Sequence, residues 1–197
     1  MARKPTKGAL PELSEIESEM SQVRSKGRYR QALRGTVGTV IVVAALAVLI
    51  ATLLLPVIRV TGTSMQPGFQ PGDILIGRKA NELQPGDICS FYFNNKLILK
   101  RVIARGGDIV EVGEEDGRVR VNGVELDEPY VSEYAYGQCD LEFPFEVPLN
   151  TVFLLGDNRD NSVDSRVTNF GCINEDEIVS KIVLRVWPLN AIRWLGW

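Results

Sequence analysis

The sequence predicts one N-terminal transmembrane α-helix followed by a mainly β exported domain of folded-over sheets or a partly closed barrel. Three observations carry this. Residues 35–58 contain no charge. From Arg59 onward, short apolar runs alternate with Gly, Pro, Asn and Asp, the pattern of strands and turns. After residue 58 no sustained 3.6-residue apolar period appears.

The elements follow in order. Residues 1–34 form a basic tail, with eight Lys/Arg against four Glu. Leu13, Ile16, Met20 and Val23 have loose helical spacing, but a solvated tail is the simpler reading. The run GTVGTVIVVAALAVLIATLLLPVI (35–58) is apolar on all sides. About 20 helical residues cross a bilayer core. The run is longer than the roughly 7–15-residue core of a cleavable signal peptide, so it reads as an uncleaved signal-anchor. Arg24, Lys26, Arg28, Arg30 and Arg34 precede it, and only Arg59 immediately follows. Flanking Lys/Arg stay on the cytoplasmic side. The N-terminus is therefore expected in the cytoplasm, and residues 59–197 outside, in a single-pass protein of the cell membrane.

Within 59–197, the runs Ile74–Ile76, Ile88–Phe93, Leu97–Ala104, Ile109–Val112, Val119–Val121, Val152–Leu155 and Ile178–Val186 are candidate strands. Asn122-Gly123, between RVRV and VEL, is a hairpin signal because both turn positions need positive φ. Pro67-Gly68, Pro71-Gly72 and Pro85-Gly86 mark further turns. The closing WPLNAIRWLGW is too short for a second span. Either its tryptophans touch the membrane interface or it packs as a core strand.

Composition narrows the chemistry. The 197 residues include no histidine, which removes every Ser-His-Asp and Cys-His mechanism and every His-bearing metal site. Residues 59–197 carry 14 Lys/Arg and 21 Asp/Glu, a poor balance for binding nucleic acid. Cys89, Cys139 and Cys172 all lie in the exported part. An oxidising exterior permits a Cys139–Cys172 disulfide, but buried free thiols are the favoured reading. No CxxC occurs, so no thiolate metal site is expected; no cofactor is expected either.

Without histidine, a hydroxyl can still lose its proton to a neutral lysine whose pKa is lowered by burial or a nearby cation. The serine candidate is Ser64, in TGTSMQPGFQPGDIL, five residues beyond Arg59. Taken alone, it would read as a polar turn residue. The lysine candidate is Lys100, in KLILKRVIARGGD. Strand alternation puts it on one face with Ile98, Val102 and Ala104, while Arg101 shares the other with Leu99 and Ile103. An edge lysine reaching into solvent is the equal alternative. The third segment is GDNRDNSVDSR (Gly156–Arg166). It fails as a calcium loop: Arg159 stands at the third position counted from Asp157, and no Gly stands at the sixth. It reads either as a solvated turn or as a set of groups that orient the lysine.

Six ordered segments carry a resemblance: GTSMQP (Gly62–Pro67), GDIL (Gly72–Leu75), PGDI (Pro85–Ile88), LKRVIARGGD (Leu99–Asp108), VNGVELDEPY (Val121–Tyr130) and GDNRDNSVDSR (Gly156–Arg166). Together they resemble the type I signal peptidases, the membrane-anchored Ser-Lys proteases of peptidase family S26. The short length and single span are similar to the Gram-positive type. The resemblance implies a fold of two antiparallel sheets with coiled-barrel character. It implies Ser64 as nucleophile, followed by Met65, and Lys100 as general base. It implies Ser162 as the hydroxyl that orients the lysine, Asp164 and Arg166 as a supporting ion pair, and Asp157 in the same loop. Gly62 stands where some members place a serine that donates to the oxyanion. That leaves the Ser64 backbone N–H as the donor and the second donor open.

The partners implied are exported preproteins with small residues before the cleavage site, and membrane lipid. Two other readings remain open at this point. One is a Ser-Lys peptidase dedicated to a single exported protein. The other is a catalytically silent, membrane-tethered β module.

Overall fold

A computed structural model describes residues 34–49, 55–79 and 82–195. The expectations for the basic tail, for residues 50–54 of the apolar run and for Trp197 lie outside the described residues. The chain divides into two units, residues 1–51 and 52–197.

In the first unit, residues 34–49 are α-helical, and Thr39 donates its hydroxyl to the Gly35 carbonyl one turn back (3.0 Å). Val37, Val40, Ile41, Val42, Val43, Leu46 and Val48 are all exposed. This is a helix with apolar surface on every side, not one with a single core-facing stripe. No helix among the described residues is long and apolar enough to cross a membrane. The run read as helix to Ile58 ends differently: Val57 and Ile58 belong to the first strand, and Ile58 is buried in the β core.

The second unit is mainly β. The strands are β1 (Val57–Arg59), β2 (Ile74–Arg78), β3 (Ile88–Phe93), β4 (Lys96–Arg105), β5 (Ile109–Val112) and β6 (Val119–Val121). They continue as β7 (Val124–Glu125), β8 (Phe145–Glu146), β9 (Thr151–Leu155), β10 (Ile173–Asn174), β11 (Ile178–Trp187) and β12 (Arg193–Trp194). One sheet runs β1-β2-β11-β3-β4-β9-β10, with β12 on β11, and a second runs β7-β6-β5-β8. Every paired neighbour is antiparallel.

Each apolar run picked out in the sequence forms a strand. The short strands β1, β7, β8, β10 and β12 are too brief for a two-residue period to mark. Asn122 (φ 53°) and Gly123 (φ 78°) make the turn between β6 and β7. Asn94 (φ 50°) and Asn95 (φ 59°) make a second such turn between β3 and β4, since asparagine tolerates the left-handed region. The described part of the closing segment is not a core strand: Leu189–Ala191 form a 3-10 turn, beyond Trp187 only Arg193–Trp194 pair as a strand, and Trp187 and Trp194 are exposed. All three cysteines are free thiols.

The core falls into three apolar clusters. One gathers Ile58, Val60, Met65, Phe69, Leu75, Ile88, Leu99 and Ile182. The second lies around Cys89, Phe91, Val102, Leu154 and Phe170, and the third around Ile103, Val110, Val112, Phe153 and Leu155. β4 contributes to all three. Its central residues are therefore covered on both faces, and a polar side chain there is removed from water.

Candidate active site

Lys100 sits at the middle of β4, opposite Cys89 of β3, and is 2% exposed. The alternative of a lysine reaching into solvent does not hold. Its Nζ lies 2.6 Å from the Ser162 hydroxyl oxygen. Burial lowers its pKa from 10.5 to about 8; Asp164 and Asp157 pull it upward, and Arg166 adds to the lowering. Removing an ammonium from water favours the neutral amine. The neighbouring thiol is neutral as well, since burial and Asp87 push Cys89 up to about 12.

Ser64 lies in the turn between β1 and β2. Val60 donates to Asp73 and accepts from Gly72, which closes the base of the turn. Met65 is buried in the first cluster and pins the chain, leaving Ser64 half-buried at the surface. Ser64 lines a groove of about 440 Å³ with Gly62, Met65 and the β4 residues Lys96–Leu99. The Gly62 Cα faces open space, with nothing within 4 Å of where a Cβ would stand.

The loop Gly156–Arg166 leaves β9 beside the lysine, because Leu155 pairs with Arg101. It ties the serine turn to the lysine strand. The Asn158 amide donates to the Ser64 carbonyl (3.0 Å), and its side chain donates to the Thr63 carbonyl (3.3 Å). At Gly156 a Cβ would lie 2.2 Å from the Ser162 oxygen and 2.6 Å from the Ser64 carbonyl. Only glycine allows the two serines to approach this closely.

Three buried ion pairs hold the loop. Arg101 grips Asp157 with two bonds of 2.8 and 2.7 Å. Burial raises the Asp157 pKa while Arg101 opposes the rise. Arg166 bonds both oxygens of Asp164 (2.8 and 3.0 Å), and the Gly156 amide donates to the same carboxylate (3.0 Å). Arg166 also donates to the carbonyls of Tyr136 and Arg159.

The third pair joins Arg159 to Glu128 (3.0 and 2.5 Å). Tyr130 donates to Glu128 (2.8 Å), and the Arg101 guanidinium stacks 3.7 Å from the Tyr130 ring centre. Arg159 Nε then reaches the Gly156 carbonyl (3.1 Å). Asp157, Arg101, Tyr130, Glu128, Arg159 and Gly156 therefore form a closed ring of contacts. Among the described residues no buried side-chain nitrogen or oxygen lacks a hydrogen-bond partner.

All eight residues singled out in the sequence lie at this locus or in its supports. Glu128, Tyr130 and Arg159, and the use of Arg101 as an ion-pair donor, were not singled out. Arg159 entered only as an objection to a calcium loop. Their signal was charge inside a segment that follows or precedes apolar strands, which does not say which charge meets which. No group of three or more Cys, Asp or Glu side chains among the described residues is placed to hold a metal ion. Chemically, the site offers a buried amine poised near neutrality, a hydroxyl bonded to it, and a second serine on an open groove.

Comparison with known proteins places the chain in a family. The family described as "Signal peptidase, peptidase S26" matches residues 33–187. Signal peptidase IB of Staphylococcus aureus (strain MRSA252) is 34% identical over 155 residues, covering 68% of this chain and 79% of its own. Signal peptidase I of Leptolyngbya laminosa is 30% identical over 203 residues, covering 94% and 93%. A crystal structure of a signal peptidase I from Enterococcus faecalis V583 is similar at 29% identity and a TM-score of 0.45, over 52% of this chain and 98% of that one. The matched span holds both the serine turn and the lysine strand, and the chain belongs to the signal peptidase family, peptidase S26, as a serine endopeptidase.

Proposed function

We propose that this protein removes N-terminal signal peptides from exported preproteins, with Ser64 as nucleophile and Lys100 as general base. The observation that carries the reading is the buried Lys100 amine, its pKa lowered to about 8, 2.6 Å from Ser162. An ammonium cannot take a proton; a neutral amine can.

The steps follow from that state. Lys100 takes the Ser64 proton, and the Ser64 oxygen attacks the carbonyl carbon of the scissile bond. The Ser64 amide donates to the oxyanion. The tetrahedral intermediate collapses, the Lys100 ammonium gives its proton to the departing amine, and an acyl-serine remains. Lys100 then deprotonates a water that attacks the acyl carbon, and returns that proton to the departing Ser64 oxygen as the signal peptide's carboxylate is released. Ser162 holds the amine in line, and Asp164, Arg166 and Asp157 hold the Ser162 loop. Gly62 and Met65 flank the oxyanion region.

The substrate lies extended in the groove. β9 pairs with β4 only from Arg101 onward, so Lys96–Lys100 has no strand on that edge among the described residues. An extended peptide completes the ladder there. Residues with small side chains then fit against Val60, Met65 and Leu99 beneath it. The uncharged run that follows Arg34, and not the described helix of residues 34–49 alone, serves as the membrane anchor, with the N-terminus cytoplasmic and the β unit on the outer side.

The test is incubation of the full chain with a labelled preprotein, followed by N-terminal sequencing of the product. Cleavage after the small-residue site, lost in Ser64→Ala and in Lys100→Ala, is the expected result. Full cleavage by Lys100→Ala would overturn the assignment of the base.

A further inference from the structure

The groove that holds Ser64 is not neutral at its far end. Its lining includes two cations, Arg59 and Lys96, alongside Gly62, Leu97 and Ile98. Both are exposed. Neither has a carboxylate partner within salt-bridge distance among the described residues. Most other cations of the β unit's core strands are paired: Arg101, Arg105, Lys181 and Arg185 each meet an Asp or Glu.

Strand geometry fixes where these cations stand relative to the bond that is cut. Side chains two apart share a face, so Lys96, Ile98 and Lys100 form one row along β4. On the opposite wall Ile58 and Val60 turn into the core, so Arg59 and Thr61 take the other face. Both rows lead away from the dyad. Lys96 is four residues from Lys100, about 13 Å along a strand, and Arg59 ends β1 ahead of the Ser64 turn, on the same groove. A peptide that runs parallel to β4, with its scissile bond at the Lys100 end, advances at the same rise. In that direction its residue four to five places before the scissile bond comes level with Lys96, on the groove that Arg59 also lines.

Resting on the proposed signal-peptide cleavage, we propose that Arg59 and Lys96 form a specificity site for an acidic side chain four to five residues before the scissile bond. The site acts on binding rather than on the chemical step, because it lies about 13 Å from the reacting atoms. Exposed ion pairs are individually weak. Two cations that attract a carboxylate and repel an ammonium give about a five- to tenfold preference at low salt, and the preference falls as salt screens it.

The test uses the detergent-solubilised full chain and three signal-peptide substrates, identical except for Glu, Gln or Lys at the fourth position before the bond, with a matching set at the fifth. The expected result is a Glu-over-Lys ratio in kcat/KM of about five or more at one of these positions, carried by KM. The ratio should fall towards one in Arg59→Gln/Lys96→Gln. Each ratio is taken within one protein, so a change in overall activity of the variant does not affect it. Equal rates for Glu and Lys substrates, or a ratio that survives the double substitution, overturn the proposal while leaving signal-peptide cleavage standing. Failure to cut even the Gln substrate overturns both. A third result assigns the cations to lipid: the double substitution lowers activity only on anionic vesicles and leaves the Glu/Lys ratio in detergent unchanged. That also overturns the proposal.

Discussion

Replacing Glu128 by Gln tests whether the ring of ion pairs around the candidate site holds the fold as the geometry implies. The Glu128 and Arg159 side chains are 0% and 1% exposed. Glu128→Gln keeps the size of the side chain but leaves the Arg159 guanidinium buried without a counter-charge. Breaking a buried pair from one side costs about 3–5 kcal/mol. With a urea slope of about 2 kcal/mol per M, the midpoint of the β unit should fall by about 1.5–2.5 M. The assay is urea unfolding of the full chain in detergent, followed by the circular dichroism of the strands. The double variant Glu128→Gln/Arg159→Met removes the stranded charge and should recover at least half of the loss, since an apolar replacement for a buried pair is often close to neutral. A midpoint shift below about 0.5 M for Glu128→Gln would refute the reasoning. So would a double variant no more stable than the single one.

Three other outcomes are expected. Gly156→Ala should abolish preprotein cleavage, because the added Cβ meets the Ser162 oxygen at 2.2 Å and the Ser64 carbonyl at 2.6 Å; cleavage at more than a tenth of the parent rate would count against the packing described. Ser162→Ala frees the lysine amine, and kcat should fall about 10²-fold with KM little changed, as for other misplaced catalytic groups; steady-state kinetics on a peptide substrate reads the split. The lowered Lys100 pKa also has a stability signature. Its folded value of about 8 lies below the ordinary 10.5, so the unfolded chain binds the extra proton between these values and stability rises with pH across that window. The penalty is fully present below pH 8 and amounts to about 3 kcal/mol. Cys89 and Cys172, both raised by burial, slope the other way, so the quantity to measure is the parent minus Lys100→Met in urea unfolding. That difference should change across the window and be flat below it.

Much of the fold was legible because burial leaves a period in the sequence. β3, β4, β9 and β11 are long or continuous apolar runs, and Asn122-Gly123 marks its own turn. Lys100 was half legible: an ammonium within an apolar strand conflicts with its surroundings unless it is neutral, but the pattern left an edge lysine equally open until the resemblance favoured the buried one. Ser64 was not legible from its local sequence, which is that of any polar turn. It became so through the resemblance carried by six ordered segments. The ring through Glu128, Tyr130 and Arg159 was hidden because it joins residues 101, 128, 130 and 159 through tertiary contacts. Spacing along one chain says nothing about such pairs. The end of the apolar run was misread for a physical reason too. Val57 and Ile58 are as apolar as the residues before them, and hydropathy does not separate an apolar helix from the core strand that follows it.

The central claim is that Lys100 acts as a neutral base near physiological pH. The measurement that tests it most directly is the pH dependence of kcat/KM for cleavage of a signal-peptide substrate by the full chain. With the Lys100 pKa lowered to about 8, the rate should rise with pH along a single limb with an apparent pKa of about 8, tenfold per pH unit on its acid side. A rate independent of pH between about 6 and 9, or a limb near the unperturbed lysine value of about 10.5, would contradict the account.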